Sequence, residues 1–166
     1  CLNHSVACSQ RYCNGKMPEL NRKEFQTVMD SVIFKQISAD ELEILLKCLN
    51  ANKRSYKKGE YAFLAGEKPE HLGVLLKGSA DIVQEDALGR KSIVTKIMPK
   101  GVFGEGIAAA NLDESPVSVI ACEDTDILFV GYNQMIERCG ANCNFHTRLI
   151  ANMLELMSRK IIMLNK

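Results

Sequence analysis

The sequence has no tryptophan, only four prolines and 6% aromatic residues. No apolar run approaches the ~18 residues of a membrane span, and the N-terminus lacks the basic-then-apolar pattern of a secretion signal. The net charge of +1 gives no strong attraction to nucleic acid or to an acidic membrane. These absences favour a soluble, cytoplasmic protein with no membrane partner. The hydrophobic content of 46% suffices for one ordinary folded domain.

A second absence is local. Residues 101–137 open with three glycines in six positions, yet they contain no lysine or arginine against seven acidic residues. Glycine-rich loops present backbone amides to phosphates, and a cation usually completes such a site. The stretch "GVFGEG" is therefore typical of a phosphate cradle, but its counter-charge is missing.

Catalytic motifs are also absent. The sequence has no nucleophile elbow, no H-E-x-x-H pair and no Walker loop. A metal-dependent cupin-like enzyme would need clustered histidines on strands, and only His71 lies in the region that reads as β-structure. We therefore expect a protein that is not an enzyme and that has no cofactor.

Two short helices are predicted near the N-terminus. Asn21 with Glu24, and Ser38 with Glu41, have the spacing of N-terminal capping boxes. Apolar residues follow each box at helical spacing. The first set is Phe25, Val28, Met29 and Val32, and the second is Leu42, Leu45, Leu46 and Leu49.

From about residue 53 to residue 130 the texture changes to short apolar runs separated by glycine or proline. Evenly spaced short strands with turn residues between them indicate a sandwich or barrel. The segment "DALGR" is typical of a hairpin tip. Helices followed by strands give an α+β fold class.

The C-terminal segment returns to helix, and it has two apolar stripes. One stripe advances by 4, 3, 4 and 3 residues, which is a heptad seam; it consists of Ile150, Leu154, Met157, Ile161 and Leu164. The second stripe consists of Leu149, Met153, Leu156 and Met163. So wide an apolar arc needs two partners. We expect these to be the β-domain and the same helix of a second subunit, although a single wide face on one core is the alternative.

Seven cysteines without a secretion signal point to free thiols, a metal site or a redox switch rather than a disulfide framework. Cys1, Cys8 and Cys13 with Cys122 match the four thiolates of an iron–sulfur cluster in number. Their spacing does not match, because the gaps of six and four residues are wider than the grouping in sensors that hold such a cluster. Cys139, Cys143 and His146 form a C-x3-C-x2-H pattern, a weak candidate for a metal or redox site. The alternative for the first set is an unstructured or artefactual leader, and the alternative for the second is a pair of packed core cysteines.

Four segments in order resemble the sensor half of the bacterial Crp/Fnr transcription regulators: "YKKGEYAFLAGE" (56–67), "LLKGSADIVQED" (75–86), "LGRKSIV" (88–94) and "IMPKGVFGEG" (97–106). The resemblance implies a cyclic-nucleotide-binding double-stranded β-helix, or jelly roll. It also implies three parts: an extension over residues 1–16, the β-roll with its leading helices over 17–135, and a dimerisation helix over 136–166. The helix-turn-helix that follows this helix in the family is not in the 166 residues.

The resemblance also implies an effector pocket. It would comprise Phe103, Gly104, Glu105, Gly106, Ile107, Ser115, Pro116 and Val117. Glu105 matches the glutamate that accepts from the ribose, whereas the position of the phosphate-binding arginine falls on Ser115. A phosphate buried beside acidic residues without a cation is unfavourable. The effector is therefore expected not to be cyclic AMP, unless Arg148 or Lys160 reaches the loop from the long helix. Two alternatives stay open: the glycines serve only as turn-formers around a vestigial or filled pocket, or the pocket takes a different effector that is neutral or aromatic.

The sequence thus predicts a homodimeric sensor domain that takes an unknown small-molecule effector and reaches DNA only through a further domain. The first alternative is a stand-alone cyclic-nucleotide-type binding module. The second is an iron–sulfur or redox-sensing regulator that uses the cysteines.

Overall fold

The computed structural model of the chain describes residues 16–136 and 144–164. Its helices are α1 (Arg22–Met29), α2 (Ala39–Cys48), α3 (Glu105–Ala109), α4 (Tyr132–Ile136) and α5 (Asn144–Leu164), with a 3-10 turn at Val32–Phe34. Its strands are β1 (Asn52–Tyr56), β2 (Tyr61–Phe63), β3 (His71–Lys77), β4 (Ala80–Glu85), β5 (Lys91–Ile97), β6 (Val102–Phe103), β7 (Val117–Ala121) and β8 (Thr125–Gly131).

Both predicted capping boxes start helices. Asn21 Oδ1 accepts from the amide of Glu24 at 2.8 Å, and Glu24 Oε1 accepts from the amide of Asn21 at 3.1 Å. The Ser38 and Glu41 pair forms the same reciprocal bonds at 3.2 and 3.1 Å. The apolar stripe of α2 is fully buried, which confirms the predicted orientation of that helix.

The strands form two antiparallel four-stranded sheets, in the orders β1-β8-β3-β6 and β2-β7-β4-β5. The two sheets face each other as a jelly roll, which confirms the expected fold class. The predicted hairpin tip joins β4 to β5, where Asp86 Oδ1 accepts from the amides of Leu88 and Arg90 at 2.9 Å.

Apolar side chains form two clusters on opposite sides of the first sheet. One cluster fills the roll interior between the sheets and includes Leu75, Phe103 and Ile127. The other cluster lies outside that sheet, where Leu128 and Val130 of β8 pack with the helices. Neighbouring residues on β8 thus face opposite ways, as the period of two in a strand requires.

The long helix α5 has one buried side and one exposed side. Phe145, Leu149 and Met153 are buried against the helices and β8. On the opposite side, Leu154 and Ile161 are 58% and 57% exposed. The predicted seam is therefore only partly open, because Ile150 is half-buried and Met157 packs against the helix-side cluster. Met163 departs from its predicted packed stripe. It lies in the last turn of the helix and is 71% exposed.

Some predictions fall outside the described residues. These concern residues 1–15 with Cys1, Cys8 and Cys13, and the pair Cys139 and Cys143. The prediction that Leu164 belongs to the heptad seam also stays a prediction: the residue ends α5, but its side chain is not among those that the structure describes.

Candidate functional site

A cavity of about 420 Å³ lies in the roll interior between the two sheets. This size is within the range of small-molecule sites. Its walls come from both sheets, from residues 67–70 and from the start of α3. The lining residues are Asn50, Asn52, Arg54, Ala62, Phe63, Glu67, Lys68, Pro69, Glu70, His71, Ile82, Phe103, Gly104, Ile107, Val117, Val119 and Phe129.

The polar wall of the cavity is built by β1. Asn52 pairs with Phe129 and Arg54 pairs with Ile127 across the β1–β8 ladder. Directly opposed residues share a face of the sheet, and Phe129 and Ile127 belong to the interior cluster. Asn52 and Arg54 therefore face the roll interior. Lys53, between them, faces the helices and forms an ion pair with Glu24 at 2.7 Å.

The apolar part of the cavity centres on Phe129. The rings of Tyr56, His71 and Phe103 meet its ring edge-on, with centroids 6.5, 6.5 and 6.1 Å away. Gly73 on β3 makes room for this arrangement, because a Cβ at that position would lie 2.1 Å from Cζ of Phe103. The cavity thus has a fixed aromatic wall beside its polar one.

Four of the eight residues expected in the effector pocket line this cavity: Phe103, Gly104, Ile107 and Val117. Glu105, Gly106, Ser115 and Pro116 are not among its lining residues. Gly104 adopts a left-handed conformation with φ of 85°, and a Cβ there would lie 3.0 Å from the carbonyl oxygen of His71. Its glycine is therefore required by the turn, whereas Gly106 faces open space.

Ser115 holds its own loop in place. Its hydroxyl donates to the carbonyl of Val117 at 2.8 Å and accepts from the Val117 amide at 3.2 Å. Its backbone amide donates to the carbonyl of Glu67 at 2.8 Å, and its carbonyl accepts from Gly66 at 2.9 Å. The residue at the arginine position is thus buried and occupied by local hydrogen bonds.

One oxygen of the Glu105 carboxylate is also occupied, while its Oε2 is buried without a hydrogen-bond partner among the described residues. Glu105 is 4% exposed, and its Oε1 accepts from Nζ of Lys160 on α5. Lys160 Nζ also donates to the carbonyl of Val102 at 2.9 Å. The cation from the long helix therefore neutralises the glutamate rather than a phosphate. Arg148, the other cation considered for the loop, instead pairs with Glu41 at 2.9 Å.

Sequence reasoning missed the residues of the polar wall. The strand "NKRSY" is polar at all but its last position, so its pattern does not reveal which side faces the roll interior. Only the pairing of β1 with β8 assigns Asn52 and Arg54 to that side. Phe129 and Phe63 carried an apolar signal, but that signal does not separate a core residue from a cavity wall.

The thiols and imidazoles of the described residues do not gather into a metal site: no three His, Cys, Asp or Glu side chains lie together there. Cys122 is half-buried and its sulfur accepts from Lys96 Nζ at 3.6 Å. His146 is buried at the start of α5, and burial lowers its pKa. The iron–sulfur and C-x3-C-x2-H hypotheses stay predictions, because their other cysteines are outside the described residues.

The fold and the cavity define a β-roll domain with a cavity between its two sheets. The sequence matches the cyclic nucleotide-binding domain family over residues 53–142, more than half of its length. The chain belongs to this family. No curated protein sequence matches the chain. Across residues 16–136 and 144–164, every helix is too short or too polar to cross a bilayer.

Solved structures share the fold at low identity. The catabolite activator protein of Thermus thermophilus is 20% identical with a TM-score of 0.69, over 81% of this chain and 60% of that one. The sensor domain of the transcriptional regulator DNR from Pseudomonas aeruginosa is 15% identical with a TM-score of 0.66, over 85% and 91%. The regulatory subunit of a cAMP-independent protein kinase A from Trypanosoma brucei is 18% identical with a TM-score of 0.63, over 84% and 47%.

The resemblance to Crp/Fnr sensor domains is confirmed at the level of the fold. The chain spans about three fifths of the length of the Thermus protein.

Proposed function

We propose that the chain is the effector-sensing and dimerisation part of a Crp/Fnr-type transcription regulator that works inside the cell. The exposed side of α5 carries this proposal. Leu154 and Ile161 are large apolar residues on a helix whose opposite side is already packed. Exposed apolar stripes at heptad spacing are typical of helices that pair with a second copy.

The proposed effector is not cyclic AMP. Ser115 supplies no charge at the arginine position, and its hydroxyl is held by Val117. One oxygen of the Glu105 carboxylate is paired with Lys160, and Glu105 does not line the cavity. A cyclic nucleotide would have to bury its phosphate at this loop without a guanidinium from the loop itself.

The mechanism we propose is a population shift. Lys160 ties α5 to α3 directly beside the cavity, so a ligand that moves α3 also biases the position of α5. Two copies of α5 would transmit that bias to DNA-contacting parts outside these 166 residues. The role is one of binding, not catalysis.

The dimer is tested by light scattering on the purified chain. Leu154→Glu should give monomers, whereas the wild type gives dimers. Met163→Glu is the matched control, since it makes the same change at an exposed apolar site outside the heptad seam. A Leu154→Glu protein that stays dimeric, or a monomeric wild type, contradicts the proposed interface.

The rival function is a stand-alone cyclic-nucleotide-type binding module. It predicts saturable binding of labelled cyclic AMP to a monomeric chain. Such binding by a monomeric wild-type chain would favour the stand-alone binding module over the transcription regulator.

A further inference from the structure

The polar wall of the cavity carries one arginine, Arg54. Arg54 lies on an edge strand, faces the roll interior and is exposed to the cavity. Among the described residues, no carboxylate lies within ion-pair distance of Arg54. Its neighbour is the Tyr56 hydroxyl: burial raises the pKa of Tyr56, and Arg54 opposes that rise.

The formal charges of the acidic and basic residues that line the cavity sum to zero. Arg54 and Lys68 supply two positive charges, and Glu67 and Glu70 supply two negative ones. A monoanion therefore adds one negative charge to a neutral set of side chains, whereas a dianion adds two. A single negative charge suits the guanidinium of Arg54, which binds a carboxylate through two parallel N–H bonds.

The remaining walls set the shape of the ligand. Phe103 and Phe129 present ring surfaces fixed by edge-on contacts, and Phe63 faces them from the second sheet. Branched side chains of Ile82, Val117 and Val119 fill the rest of that wall. Aromatic rings stack against or meet the edges of other rings favourably, so a flat apolar body fits between the two sheets.

We propose that the cavity binds a small, flat, largely apolar monoanion, of which an aromatic carboxylate is the simplest, with Arg54 as the partner of its negative charge. This inference rests on the proposed effector-sensing function and names the chemical class of the effector. The anchoring cation comes from β1, on the wall opposite Val117, and not from the loop that follows α3.

Isothermal titration calorimetry on the whole chain tests the proposal with 2-naphthoate as the probe and its neutral amide, 2-naphthamide, as the comparison. Wild-type protein should bind the acid more tightly than the amide. Arg54→Gln should raise the Kd of the acid by about 10- to 100-fold, because one charge-assisted contact is lost, and should leave the amide almost unaffected. Arg22→Gln, an exposed arginine on α1, is the matched control and should bind like the wild type.

A second variant tests the location. Val117→Phe fills part of the cavity and should weaken both probes, while cyclic AMP should bind no variant tightly. Equal affinity of Arg54→Gln and wild type for the acid overturns the anionic class but leaves an effector cavity in place. No binding of either probe to the wild type overturns the inference, and the light-scattering experiment then decides the proposed function on its own.

Discussion

Lys160 of the long helix donates to the buried carboxylate of Glu105, at the start of the short helix behind the glycine-rich loop. Lys160 is 44% exposed at its side chain, whereas Glu105 is almost fully buried. The lysine end of this ion pair is therefore partly exposed to solvent. A second hydrogen bond, from Lys160 Nζ to the Val102 carbonyl, orients the lysine side chain. It joins the element that follows the cavity loop to the helix with the open apolar face.

Loss of this lysine should destabilise the fold. Lys160→Met leaves a buried carboxylate without its cation, and we expect the free energy of unfolding in urea to fall by about 1–3 kcal/mol. Arg159→Met is the control: it removes an exposed pair with Glu155 and should cost under about 0.5 kcal/mol. Adding Glu105→Gln to Lys160→Met should restore part of the loss. If Lys160→Met and Arg159→Met lower the free energy of unfolding equally, Lys160 contributes no more than an exposed surface charge.

The close approach of Phe103 to β3 gives a second prediction. Gly73→Ala places a methyl group in the Phe103 ring, and overpacking of this kind costs about 1–3 kcal/mol. Replacing the ring by a smaller side chain, Phe103→Leu in the same protein, should restore most of the lost stability.

Thermal unfolding of the single and double variants measures the coupling between the two sites. Gly106→Ala is the control, since open space surrounds that position and alanine favours helix. If the double variant is no more stable than Gly73→Ala alone, the Phe103 ring is not the reason that position 73 requires glycine.

Asn152 fastens the long helix to the N-terminal segment. Its Nδ2 donates to the carbonyls of Ile33 at 3.0 Å and Lys35 at 2.8 Å. Asn152→Leu removes both bonds at a buried position and should lower the free energy of unfolding by about 1–3 kcal/mol. Thr147→Leu, exposed on the same helix, should change it little. Similar urea midpoints for the two variants would contradict a fastening role.

Much of the fold was readable from the sequence because local signals there agree with the packing. The capping boxes at Asn21 and Ser38 and the hairpin tip each depend on residues a few positions apart. The glycine-rich loop also marked one wall of the cavity, through Gly104 and Phe103.

The rest of the site depends on long-range pairing, which local patterns do not encode. Arg54 reaches the cavity only because β1 pairs with β8. Lys160 meets Glu105 only because the packed side of α5 brings two residues, distant in sequence, together. In the sequence, Asn152 is a polar residue between apolar ones. Its role becomes visible only in the fold, where the carbonyls of Ile33 and Lys35 accept its hydrogen bonds.

His146 makes the stability depend on pH. Its ring is 5% exposed and lies 5.5 Å from the ring of Phe145, and its Nδ1 has no hydrogen-bond partner among the described residues. Burial lowers its pKa, so the folded protein favours the neutral imidazole. In the unfolded chain the imidazole takes up a proton near pH 6.5. The stabilising contribution is therefore complete above pH ~6.5 and is lost as the pH falls towards the lower folded pKa.

Urea unfolding at pH 7.5 and 5.5 measures this loss, which has a limiting slope of about 1.4 kcal/mol per pH unit. His146→Gln should lose that part of the pH dependence, because glutamine does not titrate. Phe145→Leu should lower the stability by the same amount at both pH values, since it removes packing without removing a proton site. If His146→Gln keeps the wild-type difference between the two pH values, the acid sensitivity arises from other groups and His146 is not its source.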